Sequence, residues 1–198
     1  INFDNIRIIN DEHYIVNNKL ITINDINYQI ITFNKMPENI LKLGIKDSKT
    51  PTYNFTYFKS LVESSLKENN SLIMVVFDID NFKSINDTYG HSYGDDVLLT
   101  ITELIQYNIH KKNDYICRFG GDEFIICFTN VDKEQVIERL NNINKRLETG
   151  LYIKNNICQI TLSMGIIIYN RDKSFEENFE EADKALYESK EDGKNRIT

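Results

Sequence analysis

The sequence lacks the features that would place it in a membrane, in an oxidising compartment or on a nucleic acid. Its longest uninterrupted apolar run, Leu72–Phe77, falls far short of the roughly 20 residues needed to cross a bilayer, and no basic-then-apolar leader opens the chain. Cysteine is scarce: Cys117, Cys127 and Cys158 are odd in number, have no C-x-x-C spacing and lie inside apolar runs, where a thiol behaves as a small hydrophobe. A reducing, cytoplasmic setting is expected. Basic charge is in deficit, with 23 Lys and Arg against 30 Asp and Glu for a net charge of −7. The surface as a whole therefore repels a phosphate backbone, and no nucleic-acid partner is expected. Anionic substrates would need metal ions or a local lysine cluster. Ile1 stands where an initiator methionine would, which leads to the expectation of a piece of a longer protein and is compatible with an upstream membrane tether.

What is present is enough for a folded domain, since 41% of the 198 residues are hydrophobic and 27% charged. Between Tyr14 and Phe33 two short β-type stretches flank the Asn24-Asp25 turn signal, predicting a hairpin. Two strands alone bury too little to be stable, so residues 1–46 are expected to be an extension or the tail of an upstream sensor, which they weakly resemble in the manner of the last PAS strands. Pro37, Gly44 and the Asp47-Ser48-Lys49-Thr50-Pro51 cluster predict a linker. Residues 47–198 then alternate between helical and strand patterns: helix 54–68, strand 72–79, helix 94–109, strands 115–119 and 124–128, helix 132–148, strand 157–169 and helix 175–190. Such alternation predicts an α/β (α+β) domain, a central mixed, mainly antiparallel β-sheet flanked by helices. Strand 72–79 is apolar on both faces and so should be central. Gly120-Gly121 between strands 115–119 and 124–128 should supply the positive φ of a tight antiparallel turn.

Two acidic clusters, Asp78-Ile79-Asp80 and Asp122-Glu123, fall where apolar strands end, the position at which α/β folds present ligand-binding groups. Carboxylates there are costly to bury unpaired, and a divalent cation can neutralise several at once. Hard oxygen ligands without nearby His or Cys favour Mg²⁺ or Mn²⁺ over zinc. Spacing alone leaves the alternative that both clusters are ordinary polar turns, since turns favour Asp and Gly.

The run Arg118-Phe119-Gly120-Gly121-Asp122-Glu123-Phe124 and the run from Phe77 to His91 resemble the two hallmarks of the GGDEF family of diguanylate cyclases, in the family's order. Further matches are Gly94-Asp95 with Val97-Leu98, Thr161–Ile166, and Ala182–Tyr187 leading to Lys190, Gly193, Lys194, Asn195 and Arg196. The resemblance implies a nucleotidyl-cyclase or polymerase-palm fold and a homodimer that condenses two GTP into cyclic di-GMP, with two Mg²⁺ or Mn²⁺ per half-site. It implies that Asp78, the carbonyl of Ile79 and Asp122 hold metal, with Glu123 beside them as a further metal-site residue, and that Asp78, Asp122 and Glu123 carry catalysis. Substrate binding is implied for Phe82, Asn86, Asp95, Gly120, Gly121, Lys190 and Lys194. The chemistry is apt: guanine offers donors at N1 and N2 that one carboxylate accepts together, so Asp95 should favour GTP over ATP. Residues at 120 and 121 without Cβ would let phosphates lie against the turn. Lys190 and Lys194, four apart, should share one helical face. Capping of a turn by Asn86 and of a helix by Asp95 are the plainer alternatives.

Three departures from the family pattern stand out. Lys194 replaces the usual arginine, which keeps the charge and loses the fork. The R-x-x-D product site reads Lys111-Lys112-Asn113-Asp114, a degenerate inhibitory site in Lys111 and Asp114 that predicts weak feedback inhibition. The opening segment 47–56 matches the family's D-x-L-T-G-L-x-N-R-R only at Asp47, Thr50 and Asn54. A catalytically weak module that binds GTP or cyclic di-GMP as a regulator is the alternative reading, and an upstream sensory domain is the expected partner in the full-length protein.

Overall fold

The computed structural model describes residues 6–9, 12–23, 26–35, 44–68, 70–109 and 114–198. The chain divides into two compact units, Ile1–Lys46 and Asp47–Thr198. In the first, β1 (Ile6–Ile9), β2 (Glu12–Ile23) and β3 (Ile26–Lys35) form an antiparallel sheet in the order β1-β2-β3. The predicted hairpin corresponds to β2 and β3, paired from Tyr14↔Lys35 to Ile23↔Ile26; Asn24-Asp25 and Pro37 lie outside the described residues.

The second unit is a five-stranded sheet in the order β10-β5-β7-β6-β4. Its strands are β4 (Tyr53–Asn54), β5 (Leu72–Ile79), β6 (Tyr115–Gly120), β7 (Glu123–Thr129) and β10 (Leu162–Ile168). Every pairing is antiparallel except β4 with β6. The sheet is thus mixed and mainly antiparallel, with β5 inside it. Five helices among the described residues cover its faces: α1 (Phe55–Lys67), α2 (Phe82–Tyr89), α3 (His91–Asn108), α4 (Lys133–Glu148) and α5 (Phe175–Glu191).

Alternation along β5 explains the layers. Ile73, Val75, Phe77 and Ile79 join one core with Val97, Leu98 and Ile101 of α3 and Val136, Leu140 and Ile143 of α4. Leu72, Met74 and Val76 face the other way, into a core with Phe58 and Val62 of α1 and Ala182 and Leu186 of α5. A strand buried on both faces must be apolar at every position, and β5 is, until Asp78. α5 lies close on β10, because a Cβ on Gly165 would stand 2.1 Å from the Ala182 carbonyl oxygen. The Arg196–Thr198 tail then pairs with the free edge of β10, Met164 N–H donating to the Arg196 carbonyl at 2.9 Å, which hides backbone groups an open edge would expose.

Several elements differ from the sequence reading. The predicted strand 157–169 is two pieces: a hairpin of β8 (Leu151–Ile153) and β9 (Asn156–Cys158), then β10. Lys154 and Asn155 turn that hairpin with φ of 44° and 68°, a turn that asparagine tolerates and the pattern of apolar residues hides. The helix expected at 94–109 begins at His91, and a separate α2 precedes it, the two joined through Gly90 at φ +86°. The segment 47–51 is no linker. Asp47 Oδ1 accepts from the backbone N–H of Lys49 at 3.1 Å and of Thr50 at 2.9 Å, and from the Thr50 hydroxyl at 2.8 Å, while Thr50 and Thr52 are buried. Burial alone would raise the Asp47 carboxyl; the hydrogen bonds from Thr50 and Lys49 and the nearby Arg118 outweigh it and hold the group below its usual range.

Candidate active site

The sheet's alternation delivers the two acidic clusters to one place. Asp78 continues the α5-facing side of β5, and in the antiparallel register it stands directly opposite Glu123, the first residue of β7. Opposed residues of this kind hold their Cβ atoms about 5 Å apart on the same face. Asp122 precedes Glu123 in the hairpin turn and is near enough to add its repulsion to Asp78. Against three carboxylates stands one ammonium, Lys190 Nζ at 3.0 Å from Asp78 Oδ2. The Asp78 side chain is only 14% exposed. Burial, with the Asp122 and Glu123 charges, pushes its carboxyl up to about 6 despite the opposing Lys190 hydrogen bond and charge.

Asp80 does not join them. Its carboxylate is buried and accepts from the Thr161 hydroxyl at 2.6 Å, the Ser163 hydroxyl at 2.6 Å and the Asn195 N–H at 3.1 Å, so it ties β5, β10 and the C-terminal tail together. A cavity of about 420 Å³ beside it, lined by Asn81, Ser84, Glu148 and Thr161, contains none of the predicted site residues.

Among the described residues no group of three or more His, Cys, Asp or Glu converges as a ready metal cage. Mg²⁺ does not require such a cage, because this ion binds one or two carboxylates and completes its octahedron with water and substrate phosphates. Asp78, Asp122 and Glu123, with the Lys190 ammonium drawn onto Asp78, make a local surplus of negative charge that a divalent cation would relieve. Asp78 and Asp122 therefore fit such an ion, and Ile79 follows Asp78 as the last residue of β5.

The glycine pair makes a tighter statement than the sequence did. Only Gly121 has a positive φ, +53°; Gly120 ends β6 with no such requirement, which corrects the expectation that both supply it. A Cβ at either position would meet nothing within 4 Å. Gly120 is thus forced by neither strain nor internal crowding, and what its bare backbone leaves open is space for something outside the chain. The pairing register shifts between Arg118 and Gly120, a bulge that re-aims the turn. Arg118 secures it, donating through Nε and Nη2 to the Gly121 carbonyl at 2.9 and 2.6 Å and through Nη1 to Asp47 at 3.3 Å.

Phe82 and Asn86 meet at Gly94, the residue before Asp95, where α2 turns into α3. A Cβ on Gly94 would stand 1.9 Å from Asn86 Oδ1 and 3.2 Å from Phe82 Cζ, so both side chains lean on the bare backbone just before Asp95. The plainer alternatives fall away. Asp95 lies a full turn inside α3, whose cap is Gly90, and Asn86 lies within α2. Both Asp95 oxygens are engaged by Lys49 Nζ, at 2.8 and 3.0 Å.

Lys190 and Lys194 do not share a helical face. Lys190 is in the last turn of α5, whereas Lys194 lies beyond the helix end with φ +65°. Their ammonium groups still converge on the end of β5, Lys194 Nζ donating to Asn81 Oδ1 at 2.7 Å. Of the degenerate inhibitory pair, Lys111 lies outside the described residues. The Asp114 side chain is fully buried, accepts from the Thr129 N–H at 3.0 Å and lies 3.9 Å from Arg139. Sequence reasoning missed Lys49 and Arg118 as neighbours of the site; the segment 47–56, which matches the family's opening motif only at Asp47, Thr50 and Asn54, gave no signal for Lys49.

Residues 45–196 match the family described as "Diguanylate cyclase, GGDEF domain". Diguanylate cyclase A of Treponema denticola is 37% identical over 139 residues, which is 69% of this chain and 37% of that protein. Diguanylate cyclase DosC of Escherichia coli is 34% identical over 144 residues, 72% of this chain and 31% of that protein. The chain thus spans about a third of these relatives. The crystal structure of the GGDEF domain of DgcB from Caulobacter crescentus in complex with c-di-GMP superposes with a TM-score of 0.71 at 29% identity, over 78% of this chain and 95% of that one.

Proposed function

The chain belongs to the GGDEF domain family, and from that premise we propose that it is a diguanylate cyclase joining two GTP molecules into cyclic di-GMP as a homodimer. One observation carries the reading above the others: Asp78 and Glu123 face each other across the β5/β7 ladder beside Asp122. Like charges so placed destabilise a sheet, and a divalent cation arriving with the substrate would relieve them.

The chain's own groups divide the work. The bare turn at Gly120-Gly121 receives the triphosphate. Lys190, already 3.0 Å from Asp78, and Lys194 supply positive charge along it. Phe82 and Asn86 floor and edge the base, and Asp95 accepts from guanine N1–H and N2–H. Asp78, Asp122 and the Ile79 carbonyl would hold the divalent cation. When bound, Mg²⁺ would spread the triphosphate's charge and acidify the attacking hydroxyl; two ions per half-site is our reading of the family pattern.

On this reading the described residues provide one base pocket and one phosphate turn, so a second copy would face the first across a two-fold axis. The 3′-oxygen of one GTP then forms a bond to the α-phosphorus of the other, the bond to the β-phosphate bridge breaks, and pyrophosphate leaves; two such events close the ring. The hydroxyl proton leaves either to Glu123, which stands opposite Asp78, or to water once a metal ion has acidified the hydroxyl. Among the described residues no helix is long and apolar enough to cross a membrane. We read residues 1–46 as the end of an upstream sensory region and the setting as cytoplasmic.

The test is incubation with GTP, with ATP and with both in Mg²⁺, and identification of products by mass. Cyclic di-GMP from GTP supports the reading. Absence of product from every mixture overturns it in favour of a binding module.

A further inference from the structure

Lys49 occupies a position that the cyclase reading does not use. It sits on the loop that Asp47 pins through the Lys49 and Thr50 N–H groups, so its backbone is fixed beside α3. Its ammonium reaches both oxygens of Asp95, at 2.8 and 3.0 Å. One nitrogen bonded to both oxygens lies in the mouth of the carboxylate. The paired N1–H and N2–H donors of guanine require the same mouth, because they too must meet both oxygens at once.

We propose that Lys49 is a specificity-determining residue of the base site, competing with guanine for Asp95 and creating a donor–acceptor pair that tolerates adenine. The inference rests on the assignment of Asp95 as the base-reading carboxylate. Asp95 alone offers only acceptors, which suit guanine and repel the N1 lone pair of adenine. Lys49 and Asp95 together offer a donor beside an acceptor. An adenine edge matches that pair, its N1 accepting from the ammonium and its N6 amine donating to the carboxylate. For guanine the same ammonium must first be displaced. The side chains are 52% and 45% exposed, so the pair is an adjustable one and its effect is modest and screened by salt.

The test uses the 198-residue chain with Mg²⁺ and two probes, 3′-deoxy-GTP and 3′-deoxy-ATP, which lack the attacking hydroxyl and cannot turn over. Binding is measured by calorimetry at low and high salt for the parent, Lys49→Met, Lys49→Arg and Lys154→Met. Lys154 pairs with Asp96 on the same helix and controls for loss of one nearby charge. In Lys49→Met, 3′-deoxy-GTP should bind about two- to fivefold more tightly and 3′-deoxy-ATP about twofold or more weakly at low salt, with a smaller effect at high salt. Lys49→Arg and Lys154→Met should keep the parent's ratio. Weaker guanine binding in Lys49→Met, or a ratio within about twofold of the parent, overturns the proposal. If the parent binds neither probe, or Asp95→Ala binds guanine as well as the parent, the base-site assignment itself fails and takes the proposal with it.

Discussion

The substitution Asp78→Asn should stabilise the metal-free protein near neutral pH while removing its activity. Asp78 is 14% exposed, with Lys190 at 3.0 Å as its cation, and burial together with Asp122 and Glu123 raises its carboxyl from the ordinary 3.8 to about 6. A carboxyl raised on folding loses its proton in the unfolded chain first, so ionisation opposes the fold. The penalty is absent below about pH 4, grows between about pH 4 and 6, and is complete above that. A gap of that size corresponds to about 3 kcal/mol, with the Lys190 attraction already included. The amide of Asp78→Asn keeps the shape without the charge. Thermal unfolding in EDTA at about pH 7.5 should therefore show the variant higher by about 6 to 12 °C, given about 2–4 °C per kcal/mol for a chain of this size. At about pH 4 the difference should vanish, and Mg²⁺ near neutral pH should raise the parent and leave the variant where it was. A variant less stable than the parent near neutral pH in EDTA, or an advantage unchanged in acid, refutes the reasoning.

Other consequences follow from the same geometry. In Gly120→Ala the new methyl meets open space and an ordinary φ, so stability should change by no more than about 1 kcal/mol, while cyclic di-GMP formation falls about 100-fold or more as the phosphates are held off the turn; equal loss of both would point to a folding defect instead. In Gly94→Ala the Cβ would press 1.9 Å from Asn86 Oδ1, which moves the amide and should raise the KM for GTP about tenfold, the size of one lost polar contact, with a smaller change in kcat. Product titration should show little inhibition at low micromolar cyclic di-GMP, because the Asp114 carboxylate is buried against the Thr129 N–H and an arginine is missing at 111; strong inhibition there contradicts this.

The fold was legible where hydrophobic period and length agreed. β5 announced itself as an unbroken apolar run, and α1, α4 and α5 by their stripes, with Asn54 and Ser174 capping two of them through side-chain acceptance from Tyr57 N–H and Glu177 N–H. The fold fails to show in the sequence where short elements meet. The β8/β9 hairpin is hidden because its turn uses lysine and asparagine at positive φ, and α2 is hidden because its only buried residue is Phe82. At the candidate site, position in sequence located the acids, since they end strands, but could not separate Asp78 from Asp80. That distinction depends on β5 ending at Ile79, which leaves Asp80 outside the strand, and on Thr161, Ser163 and Asn195 being brought from far along the chain to satisfy Asp80. The same limit hid Lys49. A contact spanning 46 residues leaves no periodic trace.

The account's central claim is that carboxylates from two adjoining strands hold a cation against a nucleotide's phosphates. The most direct measurement is the rate of cyclic di-GMP formation from GTP and Mg²⁺ by Asp78→Ala and Asp122→Ala, each verified as folded by circular dichroism. Both should fall below about 1% of the parent, a loss of about 3 kcal/mol or more of transition-state stabilisation. Folded variants that make the product at the parent's rate would contradict it.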